Sequence, residues 1–468
     1  MIHHTESITV RQNIHDVFAY VSDLSNIEQW DPGVIASQKT TPGPVRAGSE
    51  FQLKCAFLWF TFPMTYRVAR LKAPKLVVFE GRGETFSAQD SITFNASENE
   101  TKIEYSLDLT FKEVSFLFEK FMFFYIKRIG KAAIKGLAHA FKENYCLPKI
   151  RLLDRWMDKS ILPGLLTFSK YGYLWRKKSW NPLAVSLTDK TVLVTGATSG
   201  LGKITALRIA RLGAKTIIVG RDPQKVDAVC RQIRKETGNA RICGEVADLS
   251  IKANIRSLAE KLDRKEPKIH VLINNAGALY DHREETAEGI ERCLALNLMG
   301  PFLLTSLLIA KLKRSAPSRI VTVSSGGMYT QKLEVHDLEY KKEPYNGENA
   351  YARAKRGLVM LTKFWAEKHK EDGIVAHAMH PGWVATPGIK KSLPGFYKLT
   401  KSILRTPEQG ADTMVWLAAA REVADATGEF WFDRRPHIID VFPGTRSTPK
   451  ECEQLLKALA RISEFEVE

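Results

Sequence analysis

Apolar and polar positions change period several times along the chain, and the changes divide it into segments. Residues 6–10 alternate as a strand does, and Ile14–Tyr20 read as a short helix with Val17 and Val21 at helical spacing. A second short helical piece ends at Trp30-Asp31-Pro32-Gly33. Strands are then predicted over Phe51–Phe57, Met64–Leu71, Leu76–Gly81, Ser91–Phe94 and Lys102–Phe111, parted by glycines and polar clusters as in consecutive hairpins. Residues 113–143 return to a helical period. Phe118, Phe121, Met122, Tyr125 and Ile126 fall on one side of that helix, and Lys120, Lys127, Arg128 and Lys131 favour the other.

From residue 190 the apolar runs become short and continuous, the mark of strands buried on both faces. Thr191–Val194 reads as such a strand. It leads into Thr195-Gly196-Ala197-Thr198-Ser199-Gly200-Leu201-Gly202 and then Ile204, Leu207, Ile209 and Leu212, a recurrence compatible with a buried helix. Strand, glycine turn and helix are what a phosphate-holding loop requires. Glycine lets the backbone approach a pyrophosphate, which then rests on the unsatisfied N–H groups of the helix start. An ordinary glycine-rich turn has the same pattern, so the residues that follow must decide. Further strands are predicted at Thr216–Val219, before Ala247-Asp248-Leu249, at Val271–Ile273 and at Ile320–Val323, with a terminal helix over Glu451–Ile462.

Residues 146–189 connect the two halves. They mix Lys149, Arg151, Arg155, Lys159, Lys170 and Arg176 with Trp156, Phe168, Tyr171, Tyr173, Trp175 and Trp180. That mixture suits either interdomain packing, with the cations in water, or a place at an anionic lipid surface. The expected division is 1–145, a connector 146–189, a catalytic domain 190–445 and a tail 446–468.

Bulk properties narrow the partners. A chain of 468 residues exceeds one ordinary core, and its 44% hydrophobic and 26% charged content is that of a soluble globular protein. A formal charge of +17 favours nucleotide phosphates, acidic lipids or nucleic acid. Without zinc-finger spacing or an arginine-rich tract, nucleic acid is set aside. The six cysteines are scattered, so reduced thiols in a cytoplasmic-type compartment and no metal centre are expected. The N-terminus lacks signal-peptide features, and no uninterrupted apolar run approaches the roughly 20 residues of a membrane span. The expectation is a cytoplasmic protein, compatible with peripheral membrane contact and with a homo-oligomer.

The strand at Thr216–Val219 ends in Gly220-Arg221 where a carboxylate would favour the free ribose of NAD. An arginine there can pair with a 2′-phosphate, so NADP(H) is preferred over NAD(H), with Lys203 as a helper. Asp248 is placed to accept from an adenine amino group.

At Asn274-Asn275-Ala276-Gly277 a family pattern is complete. T-G-x-x-x-G-x-G from Thr195, Asp248-Leu249 and N-N-A-G resemble the short-chain dehydrogenase/reductase signature. The resemblance implies an α/β Rossmann fold, a doubly wound parallel sheet, with Asn274 mainly structural. It also implies a catalytic set of Asn297, Ser325, Tyr351 and Lys355, Ser324 being the adjacent alternative to Ser325. Cofactor contacts would come from Thr195, Gly196, Thr198, Ser199, Gly200, Leu201, Gly202, Arg221, Asp248, Leu249, Asn275, Ala276 and Gly277. Tyr351, Lys355, Pro381, Gly382 and Thr386 would add contacts to the nicotinamide half. Stretches such as Ser324–Met328, Met379–Trp383 and Gln409–Met414 tighten the match, and Ile389–Arg405 falls where that family carries its substrate lid.

The chemistry accounts for these residue types. Carbonyl reduction needs a hydride at carbon and a proton at oxygen. A phenol titrates near about 10, so Tyr351 needs a cation nearby, and Lys355 lies one turn further along the helix. Ser325 would bind the substrate oxygen, and Asn297 would hold a water linking Lys355 to solvent.

The first segment resembles the START-like SRPBCC fold, an α+β helix-grip domain, through Ile14–Val21 and Trp30-Asp31-Pro32. That resemblance implies a curved sheet around a long helix, with Trp59, Phe60, Phe62 and Phe116 lining an apolar pocket or simply filling a core. No paired carboxylates of usable spacing stand out there. The expected activity is NADP(H)-dependent reduction or oxidation of a small, apolar, lipid-like substrate. The alternative is a lipid-binding or transfer protein whose reductase-like domain senses NADP(H).

Overall fold

The computed structural model describes residues 2–57, 60–83, 86–97, 100–111, 127, 129–138, 140–141, 167–180, 183–392, 394–442 and 444–466. The chain divides into two units. One is Met1–Tyr145 with Trp180–Ser186 and Lys235–Gly238; the other is Cys146–Ser179, Leu187–Arg234 and Asn239–Glu468.

In the first unit, Asn13 caps α1 (Ile14–Ser22) by accepting from the His15 N–H at 2.8 Å, and α2 (Ile27–Trp30) follows. Strands β1 (Ile2–Val10), β2 (Val34–Lys39), β3 (Glu50–Phe57), β4 (Phe60–Lys72), β5 (Leu76–Arg82), β6 (Phe86–Ser97) and β7 (Glu100–Phe111) form one antiparallel sheet. Its order is β1-β7-β6-β5-β4-β3-β2. The alternation that predicted these strands buries Ala88, Asp90, Ile92 and Phe94 of β6 together, as period 2 demands. β2 escapes sequence detection because most of its residues stay in contact with solvent. Of the long final helix, residues 129–138 (α3) are described and pack Ala133 and Leu137 into the core. Phe62 packs edge-on against Phe86 at 5.6 Å. Trp59, Phe116, Phe118, Phe121, Met122, Tyr125 and the side chain of Phe60 lie outside the described residues.

No paired carboxylates of usable spacing stand out in the sequence of this unit, yet the fold brings the charge of Asp31 to bear on Asp90. Burial lifts the Asp90 carboxyl to about 6, with the Asp31 charge adding to the rise, and desolvation lifts Asp31 to about 6 as well. Asp90 accepts from the Tyr105 hydroxyl at 2.6 Å and also from Tyr66. Gly81 makes this arrangement possible, because a Cβ there would meet the Tyr66 ring at 2.6 Å. Sequence spacing hid the group, since 59 residues separate Asp31, at the end of α2, from Asp90 on β6.

The second unit opens with α4 (Lys170–Lys177). Strands β8 (Thr191–Thr195), β9 (Lys215–Gly220), β10 (Ile242–Val246), β11 (Val271–Asn274), β12 (Ser318–Val323), β13 (Ile374–Met379) and β14 (Phe430–Phe432) run parallel, and β15 (Arg435–Pro436) closes the edge antiparallel. Their order is β10-β9-β8-β11-β12-β13-β14-β15. Helices α5 (Gly200–Arg211), α6 (Pro223–Thr237), α7 (Lys252–Lys265), α8 (Arg292–Arg314) and α9 (Gly347–Lys368) alternate with the strands. Then come α10 (Pro387–Ser392), α11 (Pro394–Thr400), α12 (Pro407–Ala419) and the terminal α13 (Pro449–Ser463). This is the expected doubly wound sheet. Strand order reverses between β8 and β11, which opens a crevice at their carboxyl ends.

The membrane-span expectation also needs adjustment. α8 is long and apolar enough to cross a bilayer. Its Phe302, Leu303, Leu304 and Leu312 are instead fully buried in the core of this unit, where a helix can be apolar on most sides.

Buried Asp90 gives a pH signature. A carboxyl raised from 3.8 to about 6 stabilises the fold most when protonated, and that contribution is lost as pH rises through about 6. Wild type should therefore be less stable than Asp90→Asn near neutrality. The difference should shrink by roughly 2 kcal/mol between about pH 7 and about pH 4.5 in urea titrations. A pH-independent difference would contradict this reading of Asp90.

Candidate active site

The glycine loop sits where β8 hands over to α5, and its neighbours leave little room for side chains. Gly196 adopts φ +64°, and a Cβ at Gly202 would meet the Gly196 carbonyl at 2.4 Å. Ser199 opens α5 in extended conformation without a side-chain cap, so the loop and helix start can offer N–H groups to an anion. The neighbouring groups tie the loop to the sheet. The Thr195 hydroxyl accepts from the N–H groups of Asn275 and Ala276 at 3.0 Å, and the Asn275 amide donates to the Thr195 carbonyl at 2.8 Å. Thr195 and Asn275 thus brace the loop through their side chains. Asn274, read as structural, donates to Thr305 of α8 at 2.9 Å.

Arg221 is exposed just beyond β9. Beside it, the Asp222 carboxylate accepts from the N–H groups of Gln224 and Lys225 at 3.0 and 3.1 Å, and these bonds hold its titration low. That carboxylate is engaged in starting α6. Asp248 accepts from the Ser250 N–H at 3.0 Å and hydroxyl at 2.7 Å, and Leu249 is buried beside it. Thr198 packs against the loop side of Gly220, where a Cβ would meet its methyl at 2.4 Å.

The residues expected to be catalytic converge across the crevice. Tyr351 and Lys355 lie one turn apart on α9, with the Lys355 ammonium 5.5 Å from the Tyr351 ring centre. The Tyr351 hydroxyl is hydrogen-bonded to Ser325. The Ser324 hydroxyl donates to the Lys355 carbonyl at 3.0 Å, while the Ser325 hydroxyl accepts from the Gly327 N–H at 3.3 Å and is the serine beside Tyr351. Lys355 donates to the Val323 carbonyl at 2.9 Å.

Asn297 occupies a π-turn, Ala295–Met299, and is fully buried. Its amide donates to the carbonyls of Ala278 and Cys293 at 2.8 and 2.9 Å and accepts from the Ala278 N–H at 3.2 Å. Gly277 fits between Asn297 and Lys355, since a Cβ there would meet the Asn297 oxygen at 2.7 Å and the Lys355 ammonium at 3.1 Å.

Burial dominates the electrostatics. It pushes the Tyr351 hydroxyl above its ordinary range, the Cys293 thiol adds to the rise, and the Ser325 bond works against it. Burial brings Lys355 down to about 8. Lys355 stands beside the Tyr351 ring, and desolvation is the largest influence on the tyrosine.

The loop after β13 forms the far wall. The Pro381 carbonyl accepts from Arg405 at 3.4 Å, Gly382 adopts φ +78°, and Thr386 accepts from the Ile389 N–H at 3.3 Å to start α10. Thr386 approaches the glycine loop, its methyl 3.7 Å from where a Gly200 Cβ would stand. Arg405 controls this wall. Fully buried, it binds Asp433 through both oxygens at 2.5 and 2.8 Å and donates to the Thr167 and Phe168 carbonyls at 2.7 and 3.0 Å. The Trp383 N–H donates to the Phe168 carbonyl at 3.0 Å. Phe168 also packs edge-on against His380 at 4.7 Å and borders Gly326, beside Ser325. Phe168 and Arg405 stood out in sequence only as members of the aromatic connector and the lid stretch, and Asp433 not at all, because the partners that define their roles lie far away in sequence.

Fold and site together have the form of an oxidoreductase of the parallel-sheet, nucleotide-binding class, with Ser325, Tyr351 and Lys355 brought together at one end of the crevice. The chain belongs to the short-chain dehydrogenase/reductase family. Residues 190–394 match the model for short chain dehydrogenase, and residues 1–142 match that for polyketide cyclase / dehydrase and lipid transport. The chain is 39% identical over 305 residues to human dehydrogenase/reductase SDR family member 12, covering 64% of this chain and 95% of that protein. It is 37% identical over 262 residues to human retinol dehydrogenase 13, covering 53% of this chain and 78% of that one. Among solved structures, the Pseudomonas aeruginosa RhlG/NADP active-site complex aligns at 23% identity with a TM-score of 0.44, covering 55% of this chain and 96% of that one.

A buried charge that loses its partner is costly. Asp433→Asn should destabilise the second unit by about 3–5 kcal/mol in urea unfolding, whereas Asp227→Asn, which removes the exposed Arg231 pair, should cost under about 0.5 kcal/mol. Equal effects would show that the Arg405 network carries no special weight.

Proposed function

We propose that this protein is an NADP(H)-dependent carbonyl reductase or alcohol dehydrogenase acting on an apolar, lipid-like substrate. The observation that carries the reading is the joining of Tyr351 to Ser325 with Lys355 beneath the same ring. NADP(H), when bound, supplies or accepts the hydride at the substrate carbon. In the reducing direction the carbonyl oxygen gains the Tyr351 phenolic proton, and Ser325 donates to that oxygen as charge develops on it. The resulting tyrosinate is stabilised by Lys355 and recovers its proton from solvent. Asn297 acts as a brace, since its side-chain amide is spent on backbone partners around Lys355. Its backbone carbonyl is the group that would hold a relaying water.

Three features support NADP(H) over NAD(H). Arg221 stands at the end of β9, the adjacent Asp222 carboxylate is engaged by backbone N–H groups, and Gly220 occupies the place of a ribose-binding carboxylate. The pyrophosphate would rest on Thr198–Gly202 and the start of α5, and the nicotinamide half would lie against Pro381–Thr386. An apolar substrate is favoured by the likeness to a protein named a retinol dehydrogenase and by the lipid-transport family match of residues 1–142. On this reading the first unit binds or presents the substrate. A lipid-transfer protein with an NADP(H)-sensing domain remains the rival, and the full Ser325–Tyr351–Lys355 set argues against it because a sensor needs no proton donor.

Tyr351→Phe should abolish hydride transfer to carbonyls while NADPH affinity, followed by nucleotide fluorescence, stays within about twofold. Retained turnover would refute the site. Arg221→Ala should weaken NADPH binding about tenfold and leave NADH binding nearly unchanged, reversing the preference. An equal loss for both nucleotides would remove the case for 2′-phosphate recognition.

A further inference from the structure

Helix α4 is amphipathic in the reverse sense. Gly172, Tyr173 and Arg176 face the protein, while Tyr171, Leu174 and Trp175 are 59%, 46% and 52% exposed. The reversal is fixed by packing. A Cβ at Gly172 would meet the Thr167 carbonyl at 2.2 Å, and Arg176 is held at the buried Asp433 carboxylate at 3.7 Å. The helix cannot roll to hide its aromatic side without withdrawing that arginine. Residues 171, 174 and 175 stand at i, i+3 and i+4, so they form one outward stripe, which Lys178 continues.

A second exposed apolar side chain lies close by. The Lys170 N–H donates to the Ile403 carbonyl at 2.9 Å, which joins the start of α4 to the chain just past α11. On α11, Leu399 is 84% exposed between the exposed lysines Lys398 and Lys401. Four of the seven large hydrophobic side chains exposed among the described residues therefore belong to these two helices. Neither 167–180 nor 387–405 contains an aspartate or glutamate, whereas Lys170, Lys178, Lys390, Lys398 and Lys401 line them. Exposed aromatic and leucine side chains ringed by cations, with no acid among them, match the interface of an anionic bilayer. A basic protein surface of this kind would repel a second copy of itself.

We infer that the α4–α11 face docks on anionic lipid membranes, with Tyr171, Leu174, Trp175 and Leu399 entering the interface and the neighbouring lysines meeting the headgroups. The docking stands independently of the reaction assigned to the crevice.

The test uses the full chain and sedimentation with vesicles of phosphatidylcholine, alone or with roughly one-third phosphatidylserine. Binding is expected to the mixed vesicles and not to phosphatidylcholine alone, and to weaken as salt is raised. Tyr171→Ser/Leu174→Ser/Trp175→Ser should reduce partitioning about tenfold or more, and Lys170→Glu/Lys398→Glu/Lys401→Glu should do the same. All of these positions lie on the surface, and retained NADPH binding would certify the fold. Absence of binding to mixed vesicles, or undiminished binding by both triple variants, overturns the inference. A concentration-dependent dimer that the serine variant abolishes, without vesicle binding, also overturns it by making a second copy the occupant.

Discussion

The site depends on one buried carboxylate. Asp433 sits at the β14 edge of the parallel sheet with the guanidinium of Arg405 bound through both oxygens and that of Arg176 nearby. Two buried cations on one anion would be costly in isolation, so their remaining donors must be spent. Arg405 spends them on the carbonyls of Thr167, Phe168 and Pro381. Charge neutralisation thereby becomes geometry: the segment before α4, the loop after β13 and the sheet edge are fastened at a single point. The ring of Phe168 fills the space between that point and the Ser325 turn. The wall against which a nicotinamide would lie is thus positioned by residues well outside the motifs that announce the cofactor.

A second consequence concerns protons. Lys355 is buried and Tyr351 partly buried beside it, and desolvation disfavours the ammonium and the phenolate alike. Lys355 offsets part of its cost by donating to the Val323 carbonyl. The π-turn that holds Asn297 contributes differently, because it widens α8 by one residue and aims the Asn297 amide at Ala278. That amide and Gly277 limit where the lysine can move. The crevice therefore holds Tyr351 and Lys355 by close packing, and their charges are tuned inside a frame already set.

Much of this was legible in the sequence, for a physical reason. The glycine loop, the Tyr351–Lys355 spacing and the parallel strands are local patterns, and local patterns survive in one dimension. The family motif already favoured Ser325 over Ser324, and the Ser324 bond to the Lys355 carbonyl is consistent with that choice. The Asp31–Asp90 group, the Arg405–Asp433 pair and the role of Phe168 were hidden because each joins residues whose separation along the chain carries no period. β2 was missed because an edge strand in solvent need not alternate. α8 was underrated as an apolar run because Asn297, Gly300 and Thr305 break its composition without breaking its burial.

The same buried carboxylate explains why the surface of α4 looks as it does. Amphipathic helices ordinarily turn aromatic residues inward, and this one has four apolar or aromatic residues within eight. Asp433 draws Arg176 inward, and helical geometry then sends positions 171, 174 and 175 outward. Satisfying an interior charge thus creates an exterior apolar stripe. The Lys170 bond to Ile403 holds that stripe beside the helices that follow Thr386. An interior ion pair that fixes the loop after β13 and the exterior face inferred to meet lipid are therefore two sides of one constraint.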